Sequence, residues 1–394
     1  MPPTVDQIHE ALGGLLDRRD PTGSSTVLGA GNDDLEAGRR FLESLVEGGW
    51  MVPTWPARHG GRDADAGEAA LIDSAMADYD VADLYPYGVG LNLVGPVLLD
   101  RGTPEQQDRW LRPIADGSEI WCQMFSEPDA GSDLANAGMR AERDGDEWIL
   151  NGSKVWTSRG AYARWGMCLT RTDASVPKHR GLTMFAVEMS SPGVEVRPLD
   201  QINGDRHFTE VFVSDLRVPD GDRIGDLGAG WGLTVETLAH ERLTIGGRAF
   251  GGDAEEVGLP SWLEEWRAAG RLVGPVARQA AIRAYVLHRV NQLATARAVA
   301  MADGGAPGPE GSIVKLRGVA AFKARAYLGK DLEGAAGMLS DSPGHLEFLT
   351  APSMSIRGGT DEVQRNIVGE RILSLPGEPR VDKDVAYCDL RKSR

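Results

Sequence analysis

Cysteine is scarce in this chain of 394 residues. There are three, Cys122, Cys168 and Cys388, far apart and odd in number. They form neither a disulfide framework nor a metal knuckle, which points to a reducing cytoplasm. Long apolar runs are missing too, so no stretch reads as a bilayer-spanning helix and no membrane partner is expected. The opening residues, MPPTVDQIHE, carry no basic-then-apolar signal and no myristoylation glycine. Positive charge is in deficit: 42 Lys and Arg stand against 58 Asp and Glu, a formal net charge of −16. Phosphate backbones demand a basic surface, so nucleic acid is not an expected partner. An anionic substrate needs a local arginine cluster working against the overall field. Repeats and extended low-complexity tracts are absent.

The chain is too long for one small core and suggests two or three packed units. Residues 1–117 carry helical spacing. Val5, Ile8, Leu12, Leu15 and Leu16 form one periodic set, and Leu35, Leu42, Leu45 and Val46 another. At Thr103-Pro104-Glu105-Gln106 a capping threonine precedes proline at the first helical position, with Gln three residues after the cap. From 118 to 228 the texture is β. Short runs at 139–143, 147–150, 154–156, 181–187 and 210–213 suit strands, and Asp144-Gly145 and Asn151-Gly152 are hairpin signals. This reads as a barrel or sandwich. From 229 to 394 helical spacing returns. Trp231, Val235, Leu238 and Ile245 make one stripe, and long helices are expected at 273–302 and 312–340. The fold class is therefore α+β and multidomain: helices, a β block, then helices.

Three stretches carry chemistry. The first is GTPEQQDRWLRPIADGSEIWCQMFSEPDAGSD at 102–133. The second is DEWILNGSKVWTS at 146–158, and the third GGTDEVQRNIVGERILSLP at 358–376. In that order and at that spacing, together with the early Pro56-to-Gly61 turn, they resemble the acyl-CoA dehydrogenase family nearly end to end. The resemblance implies a helical N-terminal domain (1–117), a central β domain (118–228) and a C-terminal four-helix bundle (229–394). It implies FAD between the last two. It also implies oxidation of the Cα–Cβ bond of an acyl-CoA thioester, with the β hydride passing to flavin N5. Reoxidation would fall to an electron-transfer flavoprotein or similar acceptor.

Residue roles follow from the same resemblance. Gln123, Met124, Phe125 and Ser126 would line the flavin ring, Trp156 would pack on it with Thr157 beside, and Ser158 would hydrogen-bond near N5. By itself Trp156 reads as a strand-core aromatic and Ser158 as a turn former; inside the motif the flavin role is the expectation. A donor at N5 favours the reduced ring, which is preorganised electrostatics. Ser132 would meet the CoA part of the substrate. Thr360 and Glu362 match FAD-contacting positions. Thr360 also suits a helix N-cap, with Asp361 and Glu362 at the positive end of the dipole.

Many relatives carry the catalytic base where Gly358 stands here. A thioester α proton is too weakly acidic to leave unaided, so another base is required. The branched-chain and long-chain members carry it on the helix that opens the C-terminal bundle, followed by Arg. In TLAHERLTIGG that pair is Glu241 and Arg242, and Glu241 falls at the edge of the apolar stripe. Burial there would raise its pKa towards a useful value. Gly358 keeps a backbone N–H that would hold the thioester oxygen, and its missing side chain leaves room for a branched, long or bulky acyl group.

Two features depart from the family. Arg248-Ala-Phe-Gly251 imitates poorly an Arg-x-x-Phe-Gly segment that reaches a neighbour's FAD. Asp331 stands where a Gln-x-x-Gly-Gly turn would begin. Bacterial relatives acting on steroid side chains pair unlike chains, so a hetero-oligomer is expected alongside a homotetramer or dimer. A flavin monooxygenase on the same fold, and a thioester carried on acyl carrier protein, are the alternative readings.

Overall fold

A computed structural model describes residues 3–18, 33–247, 259–302, 308–342, 344–380 and 382–390, the side chains of 241–247, 299 and 302 excepted. Two compact units divide the chain. The first holds residues 1–200, 206–237 and those from 380 on; the second holds 201–205 and 238–379.

Helices of the first unit begin where capping side chains allow. Thr4 and Thr103 each close a capping box, before the helices Val5–Gly13 and Pro104–Ala115. Asp34 and Asp65 cap Leu35–Val46 and Ala66–Met76. Ile8, Leu12, Phe41, Leu45, Ile72, Ala75 and Tyr79 join as one buried cluster.

Eight strands follow: β1 (Trp121–Met124), β2 (Arg140–Asp144), β3 (Glu147–Ser158), β4 (Trp165–Arg171), β5 (Leu182–Glu188), β6 (Val194–Pro198), β7 (Phe208–Pro219) and β8 (Arg223–Ile224). They make one connected sheet in the order β6-β7-β3-β2-β4-β5-β8, with β1 parallel to β4. Asp144-Gly145 turns β2 into β3, with Gly145 at φ 65°, as its sequence predicts. Asn151-Gly152 does not turn. It lies inside β3, where the register with β7 slips between Leu150 and Gly152. The Asn151 amide explains this. Its Oδ1 accepts from the Asp215 N–H at 2.9 Å and its Nδ2 donates to Asp215 Oδ1 at 3.1 Å, which ties the irregular positions of the two strands together. Strand β4 is buried along its whole length and so lacks the alternation that exposes a strand in sequence.

Tryptophans join the helices of this unit to its sheet. Trp110 packs edge-on to Trp121 at 5.5 Å, Trp121 stacks on Trp165 at 5.8 Å, and the Arg109 guanidinium lies 4.7 Å over the Trp165 ring. The three cysteines are free. Cys122 and Cys168 are buried, and burial pushes the Cys168 thiol up to about 11.

In the second unit the helix Gly274–Ala302 packs on Gly311–Leu332, and Leu263, Ala281, Ala284 and Leu328 form the buried contact. The later helix stops short of the expected residue 340, because Gly334 takes φ 58° just past its end. The helix Gly230–Gly247 begins in the first unit. Its most buried side chains there are Leu233, Thr234 and Thr237, a step round from the Trp231–Val235–Leu238 stripe. Among the described residues no helix is long and apolar enough to cross a membrane.

Asp220 links the sheet's last turn to its core. It accepts from Trp148 Nε1 at 2.8 Å and from Arg223 Nε at 3.0 Å. The Arg223 hydrogen bond first, then Trp148, hold its carboxyl down at about 2. The folded-state pKa is depressed, so the stabilisation is present above the unfolded value near 4 and is lost as pH falls towards 2. With the carboxylate about a third exposed, the expected contribution is about 1–2 kcal/mol. The stability gap between wild type and Asp220→Asn should therefore narrow as pH drops from about 4 to about 2; a constant gap in chemical denaturation would contradict it.

Candidate active site

In the first unit the candidate residues stand on β1, β3 and the turn that leaves β1. Gln123 and Met124 end β1, in register with Met167 and Cys168. Met124 and Phe125 are buried. The Ser126 carbonyl accepts from the Val155 N–H at 2.9 Å, which brings the Phe125–Ser126 segment beside β3. There the ladder to β7 slips again, between Lys154 and Thr157. Trp156 sits in this bulge at φ 61°, a conformation costly for an aromatic residue. Its indole is 59 % exposed and meets Phe208 edge-on at 5.8 Å. Trp156 is thus no strand-core aromatic. A strained backbone that presents a free indole is what a planar aromatic ligand requires. Thr157 turns inward and is fully buried, so its side chain faces away from that indole. Ser158 follows at the end of β3, paired with Phe208.

A second strained residue adjoins. Arg159 has φ 59° and its guanidinium is buried. It donates to Asp33 Oδ1 at 2.7 Å and lies 4.2 Å over the Tyr85 ring, while its N–H donates to the His207 carbonyl at 2.8 Å. These contacts lock the chain as it leaves the bulge.

Below the bulge lies the pair Lys154 and Glu127. Lys154 has no exposure, and its ammonium donates to Glu127 Oε1 at 2.7 Å and to the Phe125 carbonyl at 3.0 Å. Glu127 also accepts from the N–H groups of Gly138 and Met139, at 2.7 and 3.0 Å. One buried ion pair therefore clamps the turn after β1, the bulge of β3 and the start of β2. Sequence reasoning passed over both residues, although each lies inside a motif that it quoted. Ser132 occupies an exposed bend further along the same turn. Its neighbour Asp133 meets the Lys178 ammonium at 2.9 Å.

In the second unit the candidate residues lie on and beside the loop 353–360. Gly358 and Gly359 take φ 65° and 83°, a left-handed pair that explains the two glycines. A Cβ on Gly359 would also fall 2.6 Å from Gln364 Nε2. That amide donates to the Gly358 carbonyl at 2.9 Å. The Gly358 N–H meets no acceptor among the described residues. Thr360 caps the helix Asp361–Ile367, its hydroxyl accepting from the Val363 N–H at 3.2 Å. Asp361 accepts from the buried Lys315 at 2.9 Å and from the Ser355 hydroxyl at 2.7 Å. Burial alone would raise the Asp361 carboxyl, but those two bonds bring it below its usual value. Glu362 is exposed and meets Arg365 at 3.4 Å. Arg357 donates to Ser353 Oγ at 2.7 Å. Glu241 and Arg242 continue the helix Gly230–Gly247; their side chains lie outside the described part of the structure. Arg248 to Gly251 also lie outside the described residues. At the expected Gln-x-x-Gly-Gly turn, Glu333 accepts from the Gly344 N–H at 2.7 Å and borders an open cavity of about 380 Å³ with Arg271 and Asp341.

Removing the Lys154 ammonium leaves a carboxylate facing buried N–H groups without its cation. Lys154→Met should cost the first unit about 3–5 kcal/mol. It should also change the accessibility of Trp156, read as a shift in iodide quenching of its fluorescence against a Trp156→Phe control. Unchanged stability and quenching would show that the pair holds nothing in place.

Comparison with known proteins identifies the family. Family models for the acyl-CoA dehydrogenase N-terminal, middle and C-terminal domains match residues 30–118, 122–216 and 228–373. Acyl-CoA dehydrogenase FadE34 of Mycobacterium tuberculosis is 38 % identical over 84 % of this chain, which spans only 46 % of that relative's length. Acyl-CoA dehydrogenase IpdE1 of Mycolicibacterium smegmatis is 33 % identical over 89 % of this chain and 91 % of its own. A solved Tcur3481-Tcur3483 steroid ACAD is 26 % identical with a TM-score of 0.75, covering 95 % of this chain and 97 % of that one. With its motifs, its order of helices, sheet and helices, and these matches along most of its length, the chain belongs to the acyl-CoA dehydrogenase family.

Proposed function

We propose that the protein binds FAD and oxidises the Cα–Cβ bond of an acyl-CoA thioester with a bulky acyl group, of the steroid-derived kind. The observation that carries the reading is Gly358. Its carbonyl is held by Gln364 and its N–H meets no acceptor among the described residues, which supports a role as donor to a thioester oxygen as that oxygen gains charge. A glycine adds no side chain beside that donor, which supports a bulky acyl group. Relatives of this family named for steroid chemistry favour the bulky class. The presented indole of Trp156 supports a flavin ring there, with Gln123, Met124, Phe125, Ser126, Ser158 and the backbone of Thr157 as its neighbours; Thr360 and Glu362 are proposed as FAD contacts from their family positions.

When bound, FAD supplies the hydride acceptor. The residues do the rest. Glu241 takes the α proton, Arg242 is assigned to substrate binding, and the Gly358 N–H stabilises the enolate-like oxygen. One such donor is worth about 10²–10³ in rate. Ser132 contacts the handle of the thioester. Domain boundaries at 117/118 and 228/229 belong to the same proposal.

The partner we propose is a related chain that completes the FAD sites, with an electron-transfer flavoprotein as acceptor. Acidic Asp331 and Glu333 stand at the turn where relatives would touch a neighbour's FAD, which supports this. Native mass spectrometry of the chain purified alone should find less than one FAD per chain; a stable homotetramer with one FAD each would contradict the pairing.

The test of the chemistry is anaerobic bleaching of the flavin absorbance by straight, branched and steroid-derived acyl-CoAs. The bulky class should bleach the wild type. Glu241→Gln should retain flavin and bleach at least about 10²-fold more slowly. A mutant as fast as wild type would remove Glu241 as the base.

A further inference from the structure

We infer that residues 382–390 form a strap that shapes the Ser132 loop for the carrier handle of the thioester. The inference rests on the proposed role of Ser132. The geometry is independent of it.

Three loops of the first unit meet at one buried arginine. Arg171, at the end of β4, forms no ion pair among the described residues, although it is 4 % exposed. Its guanidinium donates to the Ala135 carbonyl at 2.7 Å, to the Ala137 carbonyl at 2.8 and 3.0 Å, and to the Lys178 carbonyl at 2.9 Å. Ala135 and Ala137 belong to the loop that carries Ser132. Lys178 belongs to the loop between β4 and β5. A buried cation whose hydrogen bonds go mainly to carbonyls, with Glu127 and Asp173 acting on it only through space, needs a further surface to cover it. The strap provides that surface: the Tyr387 ring lies 3.7 Å from the guanidinium carbon.

The strap is fastened along its length. Tyr387 and Cys388 donate their N–H groups to the carbonyls of Val176 and Ala174, both at 2.9 Å. Lys178 joins the strap to the Ser132 loop directly, with Asp382 at 2.7 Å on one side and Asp133 at 2.9 Å on the other. Gly138 makes room for the ring, since a Cβ there would fall 2.6 Å from the Tyr387 hydroxyl. The Gly138 N–H is also a donor to Glu127. Moving Tyr387 therefore loosens the loop from residue 135 to residue 138. None of these residues touches the thioester; they are positioning residues.

The experiment compares the full-length protein with its Tyr387→Ala and Tyr387→Phe variants. Hydrogen exchange at residues 133–138 reads the loop. Steady-state kinetics with one acyl group, carried either on CoA or on N-acetylcysteamine, reads the handle. Tyr387→Ala should exchange faster at 133–138. Its KM for the CoA ester should rise about tenfold, with kcat within about twofold and the short thioester unchanged. Tyr387→Phe keeps the ring but loses the hydroxyl, which donates to the Asn136 carbonyl at 3.5 Å and bonds Arg171, so its exchange and KM should fall between wild type and Tyr387→Ala. Unchanged exchange would overturn the strap. Faster exchange with equal effects on both thioesters would overturn its link to the handle. If flavin-loaded wild type turns over neither thioester, the proposed dehydrogenation falls, and the exchange result alone still decides the strap.

Discussion

A lysine ammonium with no access to water must meet a carboxylate, or else lose its charge. In the first unit that constraint falls on Lys154, and Glu127 answers it at 2.7 Å. The pair lies two residues before Trp156 and one after Ser126. Glu127 spends its remaining capacity on the Gly138 and Met139 N–H groups, and Lys154 on the Phe125 carbonyl. The segment that leaves β1, the bulge of β3 and the entry to β2 are thus one connected piece. Each loop could adopt many shapes alone. The cost of leaving either charge unpaired removes most of them.

Strain is concentrated where chemistry is proposed. Among non-glycine residues with positive φ, Trp156 and Arg159 bracket Thr157 and Ser158. In the second unit the left-handed pair Gly358-Gly359 adjoins the Thr360 cap. Such conformations persist only when neighbours over-determine them. Asp33, Tyr85 and the His207 carbonyl do this for Arg159. Gln364 does it for Gly358, while Lys315 and Ser355 fasten Asp361 just beyond. A donor and an indole held in fixed places need no reorganisation during reaction, which is the physical basis of electrostatic preorganisation.

Much of the fold was legible because local rules acted alone. Thr103-Pro104-Glu105-Gln106 reads as a helix start from its own side chains, and it is one. Asp144-Gly145 reads as a turn, and the glycine takes the required φ. Asn151-Gly152 reads as a turn by the same rule and is none, since a cross-strand amide pair with Asp215 overrides the local preference. Strand β4 escaped notice because burial on both faces erases its period. The capping role of Thr360 was readable in the site; the left-handed pair at 358 and 359 was not, since the sequence reading explained the glycines by a thioester contact and acyl room. The positive φ of Trp156 was not, because a bulge belongs to two strands and neither sequence states the register.

By itself the sequence determined the family, the order of helices, sheet and helices, and which residue types stand at the motif positions. These are properties of local pattern, and each survives without knowing what packs where. Tertiary structure alone decided that Lys154 meets Glu127, that Gln364 holds Gly358, and that Tyr387 covers Arg171 from 216 positions away in the chain. Those pairings follow from the desolvation of charges and polar groups, a cost that exists only once the chain has closed around them.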